Sequence, residues 1–79
     1  MAYYKYANKL TLSTDSAFDQ VHAPGTRVPY SGIYRCRVCG WEASSTTADH
    51  LPPQGHHVHP AGMGAIQWQL VAASVHKPQ

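Results

Sequence analysis

Two cysteines and a histidine cluster are the residues of this 79-residue chain best suited to chemistry. Cys36 and Cys39 form a C-x-x-C segment, which on a tight turn presents two sulfurs on the same side of the backbone. The histidine cluster follows later in the chain and consists of His56, His57 and His59. Because Zn²⁺ prefers four ligands in a tetrahedron, two thiolates and two imidazoles complete its shell without a carboxylate. The sequence therefore predicts one structural zinc ion, held by both cysteines and two of the three histidines.

The spacing of the histidines leaves open which two of them bind the metal. His56 and His59 are three positions apart, like the cysteines, and could straddle a matching turn. His57 and His59 are two positions apart and would converge if that segment is extended, because alternate residues of an extended chain share a face. The other three histidines of this chain are isolated in the sequence, and an isolated histidine is more often a surface residue than a ligand. These three are His22, His50 and His76.

A redox pair and a disulfide are the competing interpretations of the C-x-x-C segment. A redox pair usually lies at the N-terminus of a helix, where the pKa of the attacking thiol is lowered. Here Ile33 and Tyr34 precede the cysteines and Trp41 follows Gly40, a pattern that favours a strand, a turn and a second strand. A disulfide across so short a loop would add little stability. Metal binding is therefore the favoured interpretation.

The length and composition also favour a metal-stabilised domain. A chain of 79 residues forms one domain that buries only about 60% of its unfolded surface, so a metal or a partner is often needed. Charged residues make up 13% and the net charge is +2, which does not indicate a strong electrostatic field. We find neither a long apolar run nor a signal-like start, and reduced cysteines suit the cytoplasm. A cytoplasmic protein that does not contact the membrane is expected.

The elements that must position the ligands are predicted to be about three antiparallel strands. One strand runs over 33–36, and the C-x-x-C-G turn folds it back into a second strand over 41–44. Residues 46–64 are rich in proline and glycine and form a long loop that carries the histidines. The stretch 65–73 alternates apolar and polar residues, so it predicts a strand with Trp68 in the core.

Three regions are predicted along the chain. Residues 1–24 show no clear period and are expected to be a flexible N-terminal segment, with Phe18 and Val21 as its best anchors on the body. Residues 25–74 are expected to form the zinc-ribbon domain, and residues 75–79 a disordered tail.

Three short motifs in order resemble small bacterial zinc-ribbon proteins with a rubredoxin-like knuckle. Their layout is S-G-x-Y-x-C-x-x-C-G, then L-P-P-C-x-x-C, then W-x-L-V, and the resemblance covers residues from about 25 to 71. Cys36 and Cys39 match the first cysteine pair. In place of the second pair this chain has Gln54 and His57, so the resemblance implies a ribbon fold with a Cys2His2-type site. It is also similar to short bacterial proteins that carry a Pro-Pro-Gln-x-His-His-x-His segment.

Three classes of function are compatible with this pattern. A zinc ion with four protein ligands has no open position for water or substrate, so the leading hypothesis is a non-enzymatic, monomeric adaptor that binds a protein partner. The second hypothesis is a nucleic-acid-binding ribbon that uses a basic and aromatic patch near the cysteines. This patch consists of Arg27, Arg35, Arg37, Tyr30, Tyr34 and Trp41.

The third hypothesis is a metal-handling protein or a metal-dependent enzyme. If one histidine is absent from the shell, the fourth position could hold an activated water, with Glu42 or Asp49 as general base. Surplus histidines would also suit nickel or copper. No further motif in the sequence supports a named reaction, so an enzyme is not expected.

Overall fold

A three-stranded antiparallel sheet forms the centre of the fold. The computed structural model describes residues 2–59 and 62–74. The strands are β1 (Gly32–Cys36), β2 (Glu42–Ser45) and β3 (Trp68–Ala73), and β1 lies between the other two in the order β2-β1-β3. The prediction of a small β-rich fold with about three antiparallel strands is confirmed for these residues.

The turn between β1 and β2 is the C-x-x-C-G segment. The Gly40 N–H donates a hydrogen bond to the Cys36 carbonyl (2.8 Å), and the Cys36 N–H donates to the Trp41 carbonyl (2.7 Å). Gly40 has a φ of +82°, a value that residues with a Cβ adopt only with strain. The glycine therefore lets the chain reverse directly after the second cysteine, and both cysteines remain at one end of the sheet.

Strand β3 supplies much of the core through its alternating pattern. Ile66, Trp68 and Leu70 are each at most 2% exposed, so the predicted apolar face is the buried face. The strand begins at Trp68, later than predicted, because Trp68 pairs with Cys36 at the point where β1 ends. The complete buried cluster of the described residues is Ala17, Val28, Tyr34, Cys36, Leu51, Ile66, Trp68 and Leu70.

A bulge interrupts the pairing of β1 with β3. Ile33 pairs with Ala72 and Tyr34 pairs with Leu70, so Val71 is the extra residue on β3. Gly32 lies beside this bulge, and a Cβ built on it would stand only 2.1 Å from the Ala72 carbonyl oxygen. The close approach of the two strands here therefore requires a glycine.

The loop before the histidines is attached to the sheet at several points. The Leu51 N–H donates to the Thr26 carbonyl (2.8 Å), and the Leu51 side chain is fully buried. The Trp68 indole N–H donates to the Pro52 carbonyl (3.2 Å), and the Ile66 N–H donates to the Gln54 side-chain oxygen (3.1 Å). These bonds bring the end of the loop to the cysteine end of the sheet.

The N-terminal part packs against the body at a short 3-10 helix, Ser16–Asp19, which begins with the Asp15 side chain accepting from the Ala17 N–H (2.9 Å). Ala17 is buried and Phe18 is partly buried against the core, as expected of an anchor. Val21 is 45% exposed, so the prediction that it is a second anchor is wrong, and the smaller Ala17 takes that place. The flexibility of residues 1–24 and the limits of the 25–74 domain stay predictions, and the tail 75–79 lies outside the described residues.

The helices of the described ranges are three single turns: Ala7–Lys9, Ser16–Asp19 and Gln54–His56. A membrane-spanning helix needs about 20 apolar residues. None of these turns has that length or character.

Candidate metal centre

Four side chains converge at the end of the sheet where β1 meets its turn. These are Cys36, Cys39, His57 and His59, and their donor atoms all lie within 4.8 Å of one another. The described residues contain no other group of three or more cysteine, histidine or acidic side chains gathered in this way. Both predicted cysteines and two of the three predicted histidines are therefore brought together.

The two cysteines and the two histidines come from different parts of the fold. Cys36 is the last residue of β1 and is completely buried, whereas Cys39 lies on the turn and is exposed. His57 follows the short helix in an extended conformation (φ −151°, ψ 164°). Because alternate residues of an extended chain share a face, His57 and His59 point to the cysteines while Val58 between them is 92% exposed.

The distances between donors fit a zinc ion. Ligand bonds of about 2.3 Å to sulfur and about 2.0–2.1 Å to nitrogen in a tetrahedron imply N···S distances of about 3.5 Å and N···N distances of about 3.3 Å. Cys36 Sγ lies 3.4 Å from His59 Nε2, and Cys39 Sγ lies 3.2 Å from His57 Nε2. The two Nε2 atoms are 3.1 Å apart. The four residues could hold one ion such as zinc after small outward shifts of the donors.

The electrostatic environment of Cys36 favours the thiolate that a metal requires. Burial by itself raises the pKa of the thiol, because it disfavours the charged form. Hydrogen bonds, the largest of them from the backbone at Gln67 and Cys39, outweigh burial and lower the pKa to about 6. The hydrogen bonds therefore favour the thiolate form of Cys36 over the thiol.

The backbone orients the imidazole of His59. Its Nδ1 lies 2.7 Å from the Gly64 carbonyl oxygen, which accepts a hydrogen bond from a protonated Nδ1 and leaves Nε2 facing Cys36. This carbonyl is the first cause of a raised pKa at His59, and the sulfur of Cys36 adds to it against the opposing effect of burial. A hydrogen bond of this kind fixes the ring and the tautomer of a metal-binding histidine.

His56 lies outside the group of four donors. Its side chain is exposed, and its Nδ1 is 2.8 Å from Nδ1 of His57. His56 is the last residue of the 3-10 turn Gln54–His56, and its ring lies beside that of His57, with centroids 5.1 Å apart, without joining the four donors.

Two tryptophans surround the imidazole of His57. The Trp41 ring is stacked on it, with centroids 5.1 Å apart and planes only 6° apart, and Trp68 makes a T-shaped contact with it at 5.7 Å. Trp41 is 54% exposed, so it covers the imidazole with one face and meets solvent with the other. The ring contacts of Trp41 with other described residues are with His57 and His56.

Other candidate residues lie elsewhere. His22 pairs through its backbone with Trp68, and His50 pairs with Arg27. Asp49 accepts a hydrogen bond from the Thr46 hydroxyl (2.5 Å) and lines an open groove of about 720 Å³ to which none of the four donors contributes. Glu42 begins β2 opposite Arg35, and His76 lies outside the described residues.

Sequence reasoning missed the residues that support the ligands. Gln54, which occupies a ligand position in the resembling proteins, instead accepts the Ile66 N–H and so holds the loop to the core. The Gly64 carbonyl is a backbone group and carries no signal in the sequence. The sequence analysis treated His56 and His57, which are adjacent, only as competing ligands.

Comparisons with known proteins give one match and no family. The chain is 56% identical over 48 residues to a protein of Escherichia coli named "Protein L". The aligned region covers 61% of this chain and 54% of that protein. The chain therefore spans about half the length of this curated relative. No protein-family model matches the chain. No solved structure matches it either.

Proposed function

We propose that this protein is a non-enzymatic zinc-binding ribbon that acts as a small interaction module. The observation that carries the proposal is the convergence of two cysteines and two histidines, whose donor atoms all lie within 4.8 Å of one another. Structural zinc sites have four protein ligands, whereas catalytic sites keep one position open for water or substrate. Since four protein donors are already present, the ion would stabilise the fold instead of performing chemistry.

The position of the donors suggests what the zinc would stabilise. Cys36 and Cys39 belong to the turn between β1 and β2, while His57 and His59 belong to the loop that leads to β3. One ion would therefore join two parts of the chain that are far apart in sequence. In small domains the free energy of metal binding contributes directly to folding.

An exposed apolar surface beside the donors favours a protein partner. Val58, between the two histidine ligands, is 92% exposed, and Trp41, stacked on His57, is 54% exposed. Aromatic and apolar side chains of this kind are enriched in the buried centres of protein interfaces. We therefore propose that the zinc holds this surface in shape for a protein partner and that the chain is a cytoplasmic monomer when unbound.

Nucleic acid is the second candidate partner, and the exposure of three arginines favours it. Arg27, Arg35 and Arg37 are all exposed. Tyr34, which the sequence placed in the same patch, is fully buried in the core and cannot stack on a base. Binding to DNA or RNA that weakens steeply as salt rises would favour this candidate over the adaptor.

Native mass spectrometry of untagged protein, purified without added metal, tests the zinc proposal. We expect one zinc ion per chain, and we expect the variants Cys36→Ser and His57→Ala to lose it. The matched control is His50→Ala, which removes an exposed histidine outside the group of donors and is expected to keep its zinc.

Replacing zinc with Co²⁺ tests whether protein ligands fill all four coordination positions of the metal. A tetrahedral Co²⁺ spectrum that is unchanged by added anions would support a structural site. A wild-type protein without metal, or a Co²⁺ spectrum that shows an exchangeable water ligand, would contradict the proposal and favour an open, metal-handling or catalytic site.

A further inference from the structure

We infer that His56 is a positioning residue that selects the metal-binding tautomer of His57. The inference rests on the proposed zinc site and assigns a role to the third histidine of the cluster. It starts from a single contact, in which Nδ1 of His56 lies 2.8 Å from Nδ1 of His57.

The other nitrogen of His57 determines which way this hydrogen bond runs. His57 Nε2 faces the other donors, 3.2 Å from Cys39 Sγ and 3.1 Å from His59 Nε2. A neutral imidazole has one N–H group and one lone pair. If the lone pair on Nε2 binds the metal, the proton is on Nδ1 and must be donated to an acceptor. The nearest acceptor is Nδ1 of His56, whose own proton is then on its Nε2.

The same arrangement occurs at the second histidine ligand. His59 Nδ1 is 2.7 Å from the Gly64 carbonyl, which is always an acceptor. Nδ1 of His56 accepts the Nδ1 proton of His57, just as the Gly64 carbonyl accepts the Nδ1 proton of His59. Unlike the carbonyl, the His56 nitrogen accepts only when the proton of His56 is on Nε2. Such outer partners orient the ring and raise the basicity of the ligand nitrogen, and their loss typically weakens metal binding about 10–100-fold.

Aromatic contacts hold His56 in this position although it is exposed. Trp41 meets its ring edge-on, with centroids 5.8 Å apart and planes at 88°, and Trp68 meets it at 5.7 Å and 66°. Both indoles also contact the His57 ring. The two imidazoles are therefore oriented by the same pair of tryptophans, so their nitrogen atoms stay aligned.

Substitutions of His56 by asparagine, glutamine and alanine test whether it acts as a hydrogen-bond acceptor or only fills space. The amide of asparagine occupies the place of a histidine Nδ1, and its oxygen can accept the His57 N–H. The amide of glutamine occupies the place of Nε2 and lies too far along the side chain. Alanine removes the acceptor altogether, and His50→Ala again serves as the control.

The zinc dissociation constant of each variant, measured by competition with a chelator, is the first readout. We expect His56→Ala and His56→Gln to raise it about 10–100-fold. His56→Asn is expected to stay near the wild-type value, and all variants should keep one zinc per chain and a tetrahedral Co²⁺ spectrum. The ring-nitrogen NMR signals of zinc-loaded wild-type protein should show His57 bound through Nε2 and protonated at Nδ1.

Several results would overturn the inference. Equal dissociation constants across the series would show that His56 has no role in binding, and loss of the tetrahedral spectrum in both His56→Ala and His56→Asn would make it a ligand. Binding of zinc through Nδ1 of His57 would also exclude it. A wild-type protein that binds no zinc would overturn both this inference and the proposed function, whereas the other results leave the zinc site itself intact.

Discussion

The two cysteines of the site differ in environment although their spacing makes them look equivalent. Cys36 is completely buried at the end of β1 and receives several hydrogen bonds, while Cys39 is exposed on the turn. The hydrogen bonds lower the pKa of Cys36 to about 6 and so favour its thiolate. The buried cysteine is thus prepared as a ligand by the fold, and the exposed one is the sulfur that solvent and reagents reach first.

This difference predicts the pH at which Cys36 ionises. In the metal-free variant Cys39→Ser, the ultraviolet absorbance of the remaining thiolate should rise with a midpoint near pH 6. After unfolding in urea the midpoint should move to about pH 8.5. A midpoint near pH 8.5 in the folded variant would contradict the hydrogen bonding described for this sulfur.

The same shift has a consequence for stability. The folded pKa of Cys36 is lower than the unfolded one, so its contribution to stability is present above the unfolded pKa and is lost as pH falls towards about 6. The pKa of His59 is raised, so its contribution has the opposite sign and is lost as pH rises through the folded pKa.

At the scale of elements, the pairing of β1 with β3 determines where the ligands lie. Cys36 pairs with Trp68 at one end of this pair, and Gly32 pairs with Ala73 at the other. The bulge at Val71 lies between these ends and changes the register by one residue. Trp68 and Leu70 precede the bulge, are two residues apart and both face the core, whereas after the bulge Ala72 lies opposite Ile33.

The close approach of the strands at the bulge predicts that Gly32→Ala destabilises the protein. The variant Gly32→Ala would place a Cβ against the Ala72 carbonyl, so the strands must separate. We expect a loss of about 2 kcal/mol or more in the free energy of unfolding, measured by urea denaturation of the zinc-loaded protein.

The control for this substitution is Gly55→Ala. A Cβ at Gly55 meets no atom within 4 Å, so its effect should be within about 0.5 kcal/mol. Equal stability of the two variants would show that the close approach at Gly32 is not needed.

At the scale of the whole molecule, the site joins parts of the chain that the core alone holds weakly. The loop with the histidines is attached to the body of the fold by the buried Leu51 and by hydrogen bonds from Trp68 and Ile66, all of which reach residues that precede His57. Domains of this size bury a smaller fraction of their surface than larger domains do. A metal would supply the stability that the core lacks.

Removal of the metal should therefore lower the stability of the whole domain. Free zinc at a hundred times the dissociation constant adds about 2.7 kcal/mol to the free energy of unfolding. We expect a chelator to lower the melting temperature measured by circular dichroism and added zinc to restore it. His50→Ala should respond like the wild type, and Cys36→Ser should not respond to either addition. A melting temperature that is the same with and without chelator would contradict a structural role for the metal.

Much of the site is determined by short-range sequence. The spacing of Cys36 and Cys39 with Gly40 after them encodes a turn that presents both sulfurs, because only a few bonds separate these residues. The alternation from Ile66 to Leu70 likewise identifies the buried face of a strand, since the period of an extended chain is two. These features depend on neighbours in the chain, and they were predicted.

Which of the three histidines lie beside the cysteines was decided by tertiary structure. It depends on the extended conformation at His57 and on the attachment of the loop through Leu51 and Gln54, which places positions 57 and 59 opposite the cysteines. The burial of Cys36 and the register change at Val71 also arise from contacts between strands that are distant in sequence. Spacing alone constrains a chain over a few residues, whereas these arrangements require the packing of elements that meet only in the folded protein.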